Sequence, residues 1–299
     1  MDCSTVIVSY NTFALTEEAV RTALAAAGSL AHEVVVVDNA SPDGSAGRLR
    51  RAFAGDGRVR VVESGGNVGF AAANNAGARV AGGRVLYFLN PDTVSHGDGV
   101  ARLVAFLDAR PGAGAVGPHV LNTDGTDQPS TGRFDTAWSL ARHFLALPAP
   151  HPRRDRPRPV DVVKGCALAV RRDAFDRVGG WDERYFMYAE ENELCWTLAQ
   201  AGYVNWFVPG AVVTHHGGVA SADRYVEHQV LATRSATAFL RRHGSPALVA
   251  FHRALGASTF AARAGLLGAA ARLRPGDRSL QQRSRAARAV CRYFALDYS

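Results

Sequence analysis

Three short stretches carry side chains able to hold a metal ion or move a proton. Leu89-Asn-Pro-Asp-Thr93 follows an apolar run and leaves Asn90 and Asp92 where a strand must end. A carboxylate there can hold a hard divalent cation through oxygen, beside substrate phosphates, or do no more than shape a proline turn. Tyr188-Ala-Glu-Glu-Asn-Glu-Leu-Cys-Trp196 places three carboxylates within four positions. At a helix start they can complement the helix dipole; as chemistry, one can be a general base. Glu190 and Glu191 would point about 100° apart on a helix and so would not share one target, whereas Glu190 and Glu193 share a face more nearly. Val213-Thr-His-His-Gly-Gly218 puts two histidines before two glycines at a strand end. That pattern suits a metal ligand or a phosphate contact, although a lone histidine is more often structural.

The elements needed to hold these groups read as alternating strands and helices. Thr5–Tyr10, Glu33–Asp38, Val59–Val62 and Arg84–Leu89 are short apolar runs suited to buried strands, with helical segments over about Leu15–Ala27, through Leu49 and Phe53, and over about Val68–Val80. This alternation predicts right-handed βαβ units and a mostly parallel sheet, in which ligands bind beyond the C-terminal strand ends. Polar residues gather at those ends: Ser9 and Asn11, Asp38 and Asn39, Asn67, Asn90 and Asp92. Each alone reads equally well as a turn former; the repetition at every strand points to a binding edge. No GxGxxG follows the first strand and no GxxxxGK[ST] occurs, so the ligand is held without a dinucleotide or P-loop phosphate cradle. A less regular stretch spans about Pro118–Pro159, and its Pro- and Arg-rich part from Pro148 reads as a surface loop or as a lid on the acceptor side. Beyond it, strands are expected at Val160–Lys164, Ala167–Val170, Val204–Val208 and Ala211–Thr214, and a helix over Tyr185–Ala201.

The 299 residues carry a net charge of +7, which invites a nucleic-acid reading until the charge is divided. From Arg241 to Ser299 there are 11 arginines against Asp277 and Asp297, a net +9, so residues 1–240 are slightly acidic at −2. A nucleic-acid binder is therefore not expected. The four cysteines form no CxxC pair, so neither a zinc site nor a disulfide framework is expected. No basic leader precedes the first strand and no uncharged apolar run reaches 18 residues, so a cytoplasmic location is expected.

Taken in order, several segments resemble the family 2 glycosyltransferases of the GT-A fold: Val8-Ser-Tyr-Asn11, Val37-Asp-Asn-Ala-Ser-Pro-Asp-Gly-Ser45, Asn67-Val-Gly-Phe-Ala-Ala-Ala-Asn-Asn-Ala-Gly77, Leu89-Asn-Pro-Asp-Thr93, Gly165–Phe175, Val178–Trp196 and the His-His-Gly-Gly block. The resemblance covers about residues 4–240 and is closest to the rhamnosyltransferase-like branch, where Asn-Pro-Asp replaces the usual Asp-x-Asp. It implies an α/β fold with one mostly parallel mixed sheet flanked by helices, a catalytic domain over 1–240 and a basic helical extension over 241–299. It implies an inverting, metal-dependent transfer of a sugar, rhamnose or another deoxysugar, from a nucleoside diphosphate to a hydroxyl of a glycan, a lipid-linked intermediate or a natural product. Matching positions take implied roles. Ser9, Asn11, Asp38, Asn67, Gly69, Asn90 and Asp92 line the donor site, with Asp38 on the base. Asp92 and His215 hold Mg²⁺ or Mn²⁺. Trp181, Asp182 and Glu190 face the acceptor. Glu191 stands where the family's general base is usually Asp. The extra methylene moves the carboxylate by about 1 Å unless the backbone compensates.

Two other classes compete. A nucleotidyltransferase shares the sheet, the sugar nucleotide and the metal, but normally has a Gly-rich basic loop after the first strand, which Val8–Phe13 lacks. A catalytically degenerate binding subunit would rest on Asn90 and Glu191. The Ala- and Arg-rich extension reads as helical and broken at Pro275-Gly276, with Leu248, Phe251, Leu255, Ala262, Leu266 and Leu273 on one stripe. That stripe could pack on the catalytic domain, join a second subunit, or lie on an anionic membrane surface.

Overall fold

The computed structural model describes residues 1–145, 147, 155–217 and 224–298. These divide into two compact units. Of the described residues, the first unit takes 1–134, 155–186 and 190–217 and the second takes the rest.

The first unit opens as its valine runs dictate. β1 (Cys3–Ser9), β2 (His32–Asp38), β3 (Val59–Glu63) and β4 (Val85–Leu89) alternate with α1 (Phe13–Ala26), α2 (Ser45–Ala52) and α3 (Phe70–Val80). Parallel pairing sets Ser9 against Asp38 and Asp38 against Glu63, so the polar strand ends share one edge. β5 (Thr93–His96), α4 (Gly99–Asp108), β6 (Ala113–Leu121), β7 (Asp127–Gln128) and β8 (Thr131–Gly132) come next. After α5 (Ala137–Phe144), which belongs to the second unit, the first unit resumes with β9 (Arg158–Val160), β10 (Val162–Val163), β11 (Ala167–Arg171), α6 (Arg172–Arg177), α7 (Glu190–Gln200) and β12 (Val204–His215).

The main sheet runs β3-β2-β1-β4-β11-β6-β12-β5, with β7 beside β6 and β9 beside β12; β8 and β10 form a separate ribbon. It is parallel over β3-β2-β1-β4, then turns mixed: β11 is antiparallel to both β4 and β6, and β12 is parallel to β6. The two strands expected near 204–214 are one strand, with a register shift between Val208 and Val212. The stretch expected to be irregular contains β6, β7, β8 and α5; residues 148–154 of its Pro- and Arg-rich part lie outside the described residues.

Each sheet face has its own core. One gathers Ile7, Val34, Val36 and Leu89 with Val20 of α1 and Leu103 and Leu107 of α4. The other gathers Val6, Val35, Val37 and Phe88 with Ala73 of α3 and Leu194 and Leu198 of α7. α3 comes close to the sheet because Gly77 has no side chain: a Cβ there would lie 2.4 Å from Cγ1 of Val6. Gly77→Val is therefore expected to overpack this face and lower unfolding free energy by about 1–3 kcal/mol, measured by urea titration. The helix expected from Tyr185 starts instead at Glu190, because Tyr188 and Ala189 have left-handed φ values of 70° and 66°.

The second unit packs α5 with α8 (Tyr225–His243), α9 (Pro246–Leu273) and α10 (Arg278–Leu296) around Leu140, Phe144, Leu240, Val290, Tyr293, Phe294 and Tyr298. The boundary expected at 240 falls inside α8. Helix starts follow from their caps: Ser245 accepts from the Leu248 N–H ahead of Pro246, and Asp277 accepts from the Leu280 N–H after the Pro275-Gly276 break. The buried face of α9 differs from the expected stripe. His252, Gly256 and Ala271 are buried, while Phe251, Ala262, Leu266 and Leu273 face solvent. Nδ1 of His252 meets the Tyr298 hydroxyl at 2.8 Å, and that hydroxyl donates to the Val249 carbonyl at 3.0 Å. Burial lowers the His252 pKa to about 4. At Gly256 a Cβ would stand 2.4 Å from the Phe294 ring. A histidine and a glycine thus mark the packed face, and neither registers as apolar periodicity.

Candidate active site

At the β1–β2 end, hydrogen bonds fix the backbone and leave one carboxylate oxygen over. The Ser9 hydroxyl is buried against Thr12 (3.2 Å) and Thr16 (3.0 Å), which turns it toward α1. Asn11 adopts φ 55°, and its N–H donates to the Ser41 hydroxyl at 3.0 Å. Ser41 N–H in turn donates to Asp38 Oδ2 at 2.9 Å. Asp38 Oδ1 is buried with no protein hydrogen-bond partner among the described residues. A buried carboxylate oxygen needs a donor, and an N–H on the edge of a nucleotide base would supply one.

Asn39 organises the next loop. Its Nδ2 donates to Asn67 Oδ1 at 3.0 Å, and its Oδ1 accepts from the Val68 N–H at 3.0 Å and the Ser64 hydroxyl at 3.1 Å. Gly69, at φ 87°, lets Phe186 come close: a Cβ would lie 2.5 Å from the Phe186 carbonyl, which accepts from the Phe70 N–H at 2.7 Å. Asn67 and Gly69 are thereby held beside the Asp38 strand end.

Asn90, Asp92 and His215 converge because β5 pairs antiparallel with β12, setting His215 opposite Thr93. His215 Nε2 lies 3.2 Å from Asp92 Oδ1 and 3.4 Å from Asn90 Nδ2. Its Nδ1 lies 2.6 Å from Gln128 Oε1, while Gln128 Nε2 donates to Asn122 Oδ1 at 2.9 Å. That chain assigns the proton to Nδ1 and leaves the Nε2 lone pair facing a carboxylate. A second proton or a cation must sit between them. Burial works against the Asp92 carboxylate; with a second proton on His215, that ring's hydrogen bond and charge, with the backbone at Asp92 and Gly217, outweigh burial and hold the Asp92 pKa below the usual value. Neighbouring ligands about 2.1 Å from an octahedral ion are roughly 3 Å apart, so the 3.2 Å spacing and the oxygen–nitrogen donor pair fit a divalent metal. Among the described residues no third Cys, His, Asp or Glu joins them. This suits an ion that completes its shell with diphosphate oxygens and water.

The carboxylates of α7 separate as the helix geometry predicts. Glu190 and Glu193 are buried and Glu191 is half-buried. Glu193 accepts from the Tyr185 hydroxyl at 3.0 Å. Glu190 Oε2 has no hydrogen-bond partner among the described residues, and burial together with the Glu191 charge raises the Glu190 pKa well above normal. Glu191 Oε1 lies 3.4 Å from Nζ of Lys164, the chain's only lysine. The Lys164 pKa is raised by the Glu191 charge against the cost of burial. Gly165 lies against the Glu191 side chain: a Cβ there would stand 3.4 Å from the Glu191 Cβ, an ordinary contact. One residue on, the Cys166 carbonyl accepts from the Asn90 N–H at 2.9 Å. The Lys164–Cys166 segment thus links Glu191 to the Asn90–Asp92 turn. Burial, with the charges of both Asp92 and Glu191, pushes the Cys166 thiol up to about 12.

Two residues expected at the acceptor side have structural partners. Trp181 is buried edge-on against Phe88 and Phe70, with ring centroids 5.0 and 5.9 Å away. Asp182 pairs with Arg184 and accepts from the Arg184 N–H at 3.1 Å, closing a turn before Tyr185. Glu190, also expected there, is buried as described. Sequence reasoning did not assign roles to Asn39, Gln128 and Lys164. The single lysine was a visible signal; Gln128 had none, because β7 is two residues long.

Residues 4–179, more than half of the chain, match Glycosyl transferase family 2, and the protein belongs to that family. It is a glycosyltransferase of the GT-A fold, which sets aside the nucleotidyltransferase alternative. Among named relatives, the N-acetylglucosaminyl-diphospho-decaprenol L-rhamnosyltransferase of Mycobacterium tuberculosis (strain ATCC 25618 / H37Rv) is 32% identical over 232 residues, covering 69% of this chain and 74% of that protein. Rhamnosyltransferase WbbL of Escherichia coli (strain K12) is 27% identical over 169 residues, covering 51% of this chain and 62% of that protein. The fold is shared with mannosyltransferase PcManGT from Pyrobaculum calidifontis, solved with GDP-Man and Mn²⁺, at a TM-score of 0.62 and 19% identity over 99% of this chain and 87% of that one. It is also shared with GalNAc-T7, solved with UDP, GalNAc and Mn²⁺, at a TM-score of 0.57 and 21% identity over 72% of this chain and 43% of that one.

Proposed function

We propose that the protein is an inverting, metal-dependent transferase that moves a deoxyhexose, rhamnose first among them, from a nucleoside diphosphate to a hydroxyl of a lipid-linked glycan acceptor. The observation that carries this reading is the Asp92–His215 pair, 3.2 Å apart with a lone pair facing a carboxylate. The 32% identity to a rhamnosyltransferase supports the sugar and acceptor class. Asp38 Oδ1 takes a donor from the base, and the Asn67–Gly69 loop borders the nucleotide. Asp92 and His215 hold Mg²⁺ or Mn²⁺, and Asn90 sits beside them. Bound there, the ion neutralises charge on the leaving diphosphate as a Lewis acid.

Glu191 is the general base. It accepts the acceptor's hydroxyl proton as that oxygen attacks the anomeric carbon from the face opposite the diphosphate. One C–O bond forms, the C–O bond to the diphosphate breaks, and its electron pair leaves with the diphosphate. A single displacement inverts the anomeric centre and needs no second carboxylate as nucleophile. Lys164 Nζ stands 3.4 Å from Glu191 Oε1, and burial together with the Glu191 charge raises the Glu190 pKa well above the usual carboxylate range.

A thermal-shift panel of sugar nucleotides with and without Mn²⁺ tests the donor class. Deoxythymidine diphosphate-rhamnose is expected to raise Tm only with Mn²⁺. At a ligand concentration about 100 times Kd the stabilisation is about 2.7 kcal/mol. A shift with GDP or UDP sugars alone would contradict the deoxysugar assignment.

A further inference from the structure

Among the described residues, the outer face of α9 leaves Phe251, Ala262, Leu266 and Leu273 exposed. Phe251, Ala262 and Leu273 recur every eleven residues, close to three turns, and Leu266 lies one turn beyond Ala262 on the same side. Leu266 is 74% exposed and Leu273 84%. From Phe251 to Leu273 the line is about 33 Å long at 1.5 Å per residue. α5 meets an edge of the same helix, where Arg263 Nη2 donates to the Phe144 carbonyl at 2.8 Å. α5 and the residues after it expose Trp138 (66%), Leu145 and Leu147. Scattered single apolar residues need no explanation, but a continuous row on one element does.

Charge decides what covers it. Residues 246–296 hold nine arginines and one acid, Asp277. Arg272, Arg274 and Arg278 are exposed at the end of the row where Leu273 stands. A second copy would bring an equally basic surface to the same interface, and like charges oppose that pairing. A zwitterionic surface has no net negative potential to attract the arginines. An apolar strip with basic flanks matches a bilayer interface carrying anionic headgroups, in which the apolar face sinks shallowly and the arginines meet phosphates. No helix of the described residues is long and apolar enough to cross a membrane, so the contact lies in the interface plane.

We propose that the outer face of α9 docks the protein on anionic lipid, through Phe251, Leu266 and Leu273 with Arg272, Arg274 and Arg278 at the end of the strip. The inference deepens the reading of a lipid-linked acceptor, and its test needs no turnover, so either can fail alone. Full-length protein is floated with vesicles of phosphatidylcholine alone or mixed equally with phosphatidylglycerol. Flotation is expected with the mixed vesicles only, falling as salt rises. Phe251→Asp/Leu266→Asp/Leu273→Asp, at exposed positions, is expected to lose flotation while keeping the wild-type Tm. Neutralising Arg272, Arg274 and Arg278 to Gln is expected to weaken partitioning about fivefold per arginine. Equal flotation of the Asp variant, equal binding to phosphatidylcholine alone, or absence of flotation would overturn the proposal. So would a wild-type dimer in solution that the Asp variant converts to monomer, which would make the face a subunit interface.

Discussion

Glu191→Gln is expected to lower kcat for sugar transfer by about 10²–10⁴-fold, the range general base catalysis supplies, with donor affinity unchanged. The substitution keeps the volume and the Lys164 neighbour but removes the proton acceptor. Measuring turnover beside donor binding by calorimetry separates chemistry from binding. Because burial disfavours the charged form of Glu190 and Glu193 is engaged by Tyr185, neither can substitute without rearrangement. Retained turnover would remove Glu191 from the mechanism and leave its pairing with Lys164 as a purely structural contact. Glu191→Asp restores the side chain usual for the family but draws the carboxylate back by about 1 Å. It is expected to fall between wild type and Gln, since misplacement on that scale can cost about 100-fold.

Asp92→Ala and His215→Ala are each expected to weaken Mn²⁺-dependent binding of the nucleoside diphosphate by about 100-fold or more. Each variant removes one of the two side chains proposed to hold the ion. Gln128→Leu leaves both ligands but frees the His215 ring, and is expected to cost about 10-fold, at the lower end for a group that orients a metal ligand. Calorimetric titration of the diphosphate with and without Mn²⁺ reads both effects. If the Ala variants bind as wild type does in Mn²⁺, the 3.2 Å pair is a protonated ion pair and not a metal clip. In all of these variants the affinity measured without metal is expected to stay near that of wild type.

The parts of the fold that were legible are those where one face of an element is uniformly apolar. β1 and β4 are buried throughout and β2 at all but Glu33, so their apolar runs and polar ends were readable. β5 was not, because Thr93–His96 has no apolar run; it exists only through pairing with β12. β6 mixes Ala and Gly with Pro118, residues that argue against a strand when taken alone. At the site, Asp92 and His215 stood out as residue types, yet the 122 positions between them gave no hint that β5 would bring them together. Gln128 is ordinary in sequence and acquires meaning only as the partner of His215 Nδ1. Trp181 shows the opposite failure. Its place in the Trp181-Asp182 pair drew it toward the acceptor, whereas packing against Phe88 and Phe70 makes it core. On α9 the expected stripe divides: Leu248 and Leu255 pack on the helical core while Phe251, Ala262, Leu266 and Leu273 face outward, and His252 and Gly256 turn inward against the Tyr298 hydroxyl and the Phe294 ring.

The central claim is metal-assisted transfer of a deoxyhexose, and one assay addresses it most directly. Purified full-length protein is incubated with deoxythymidine diphosphate-rhamnose and an N-acetylglucosaminyl diphosphate lipid, with Mn²⁺ or with excess chelator, and the lipid is weighed by mass spectrometry. The expected result is a gain of one deoxyhexose with Mn²⁺ and none with chelator. Transfer that persists undiminished in chelator would contradict the account.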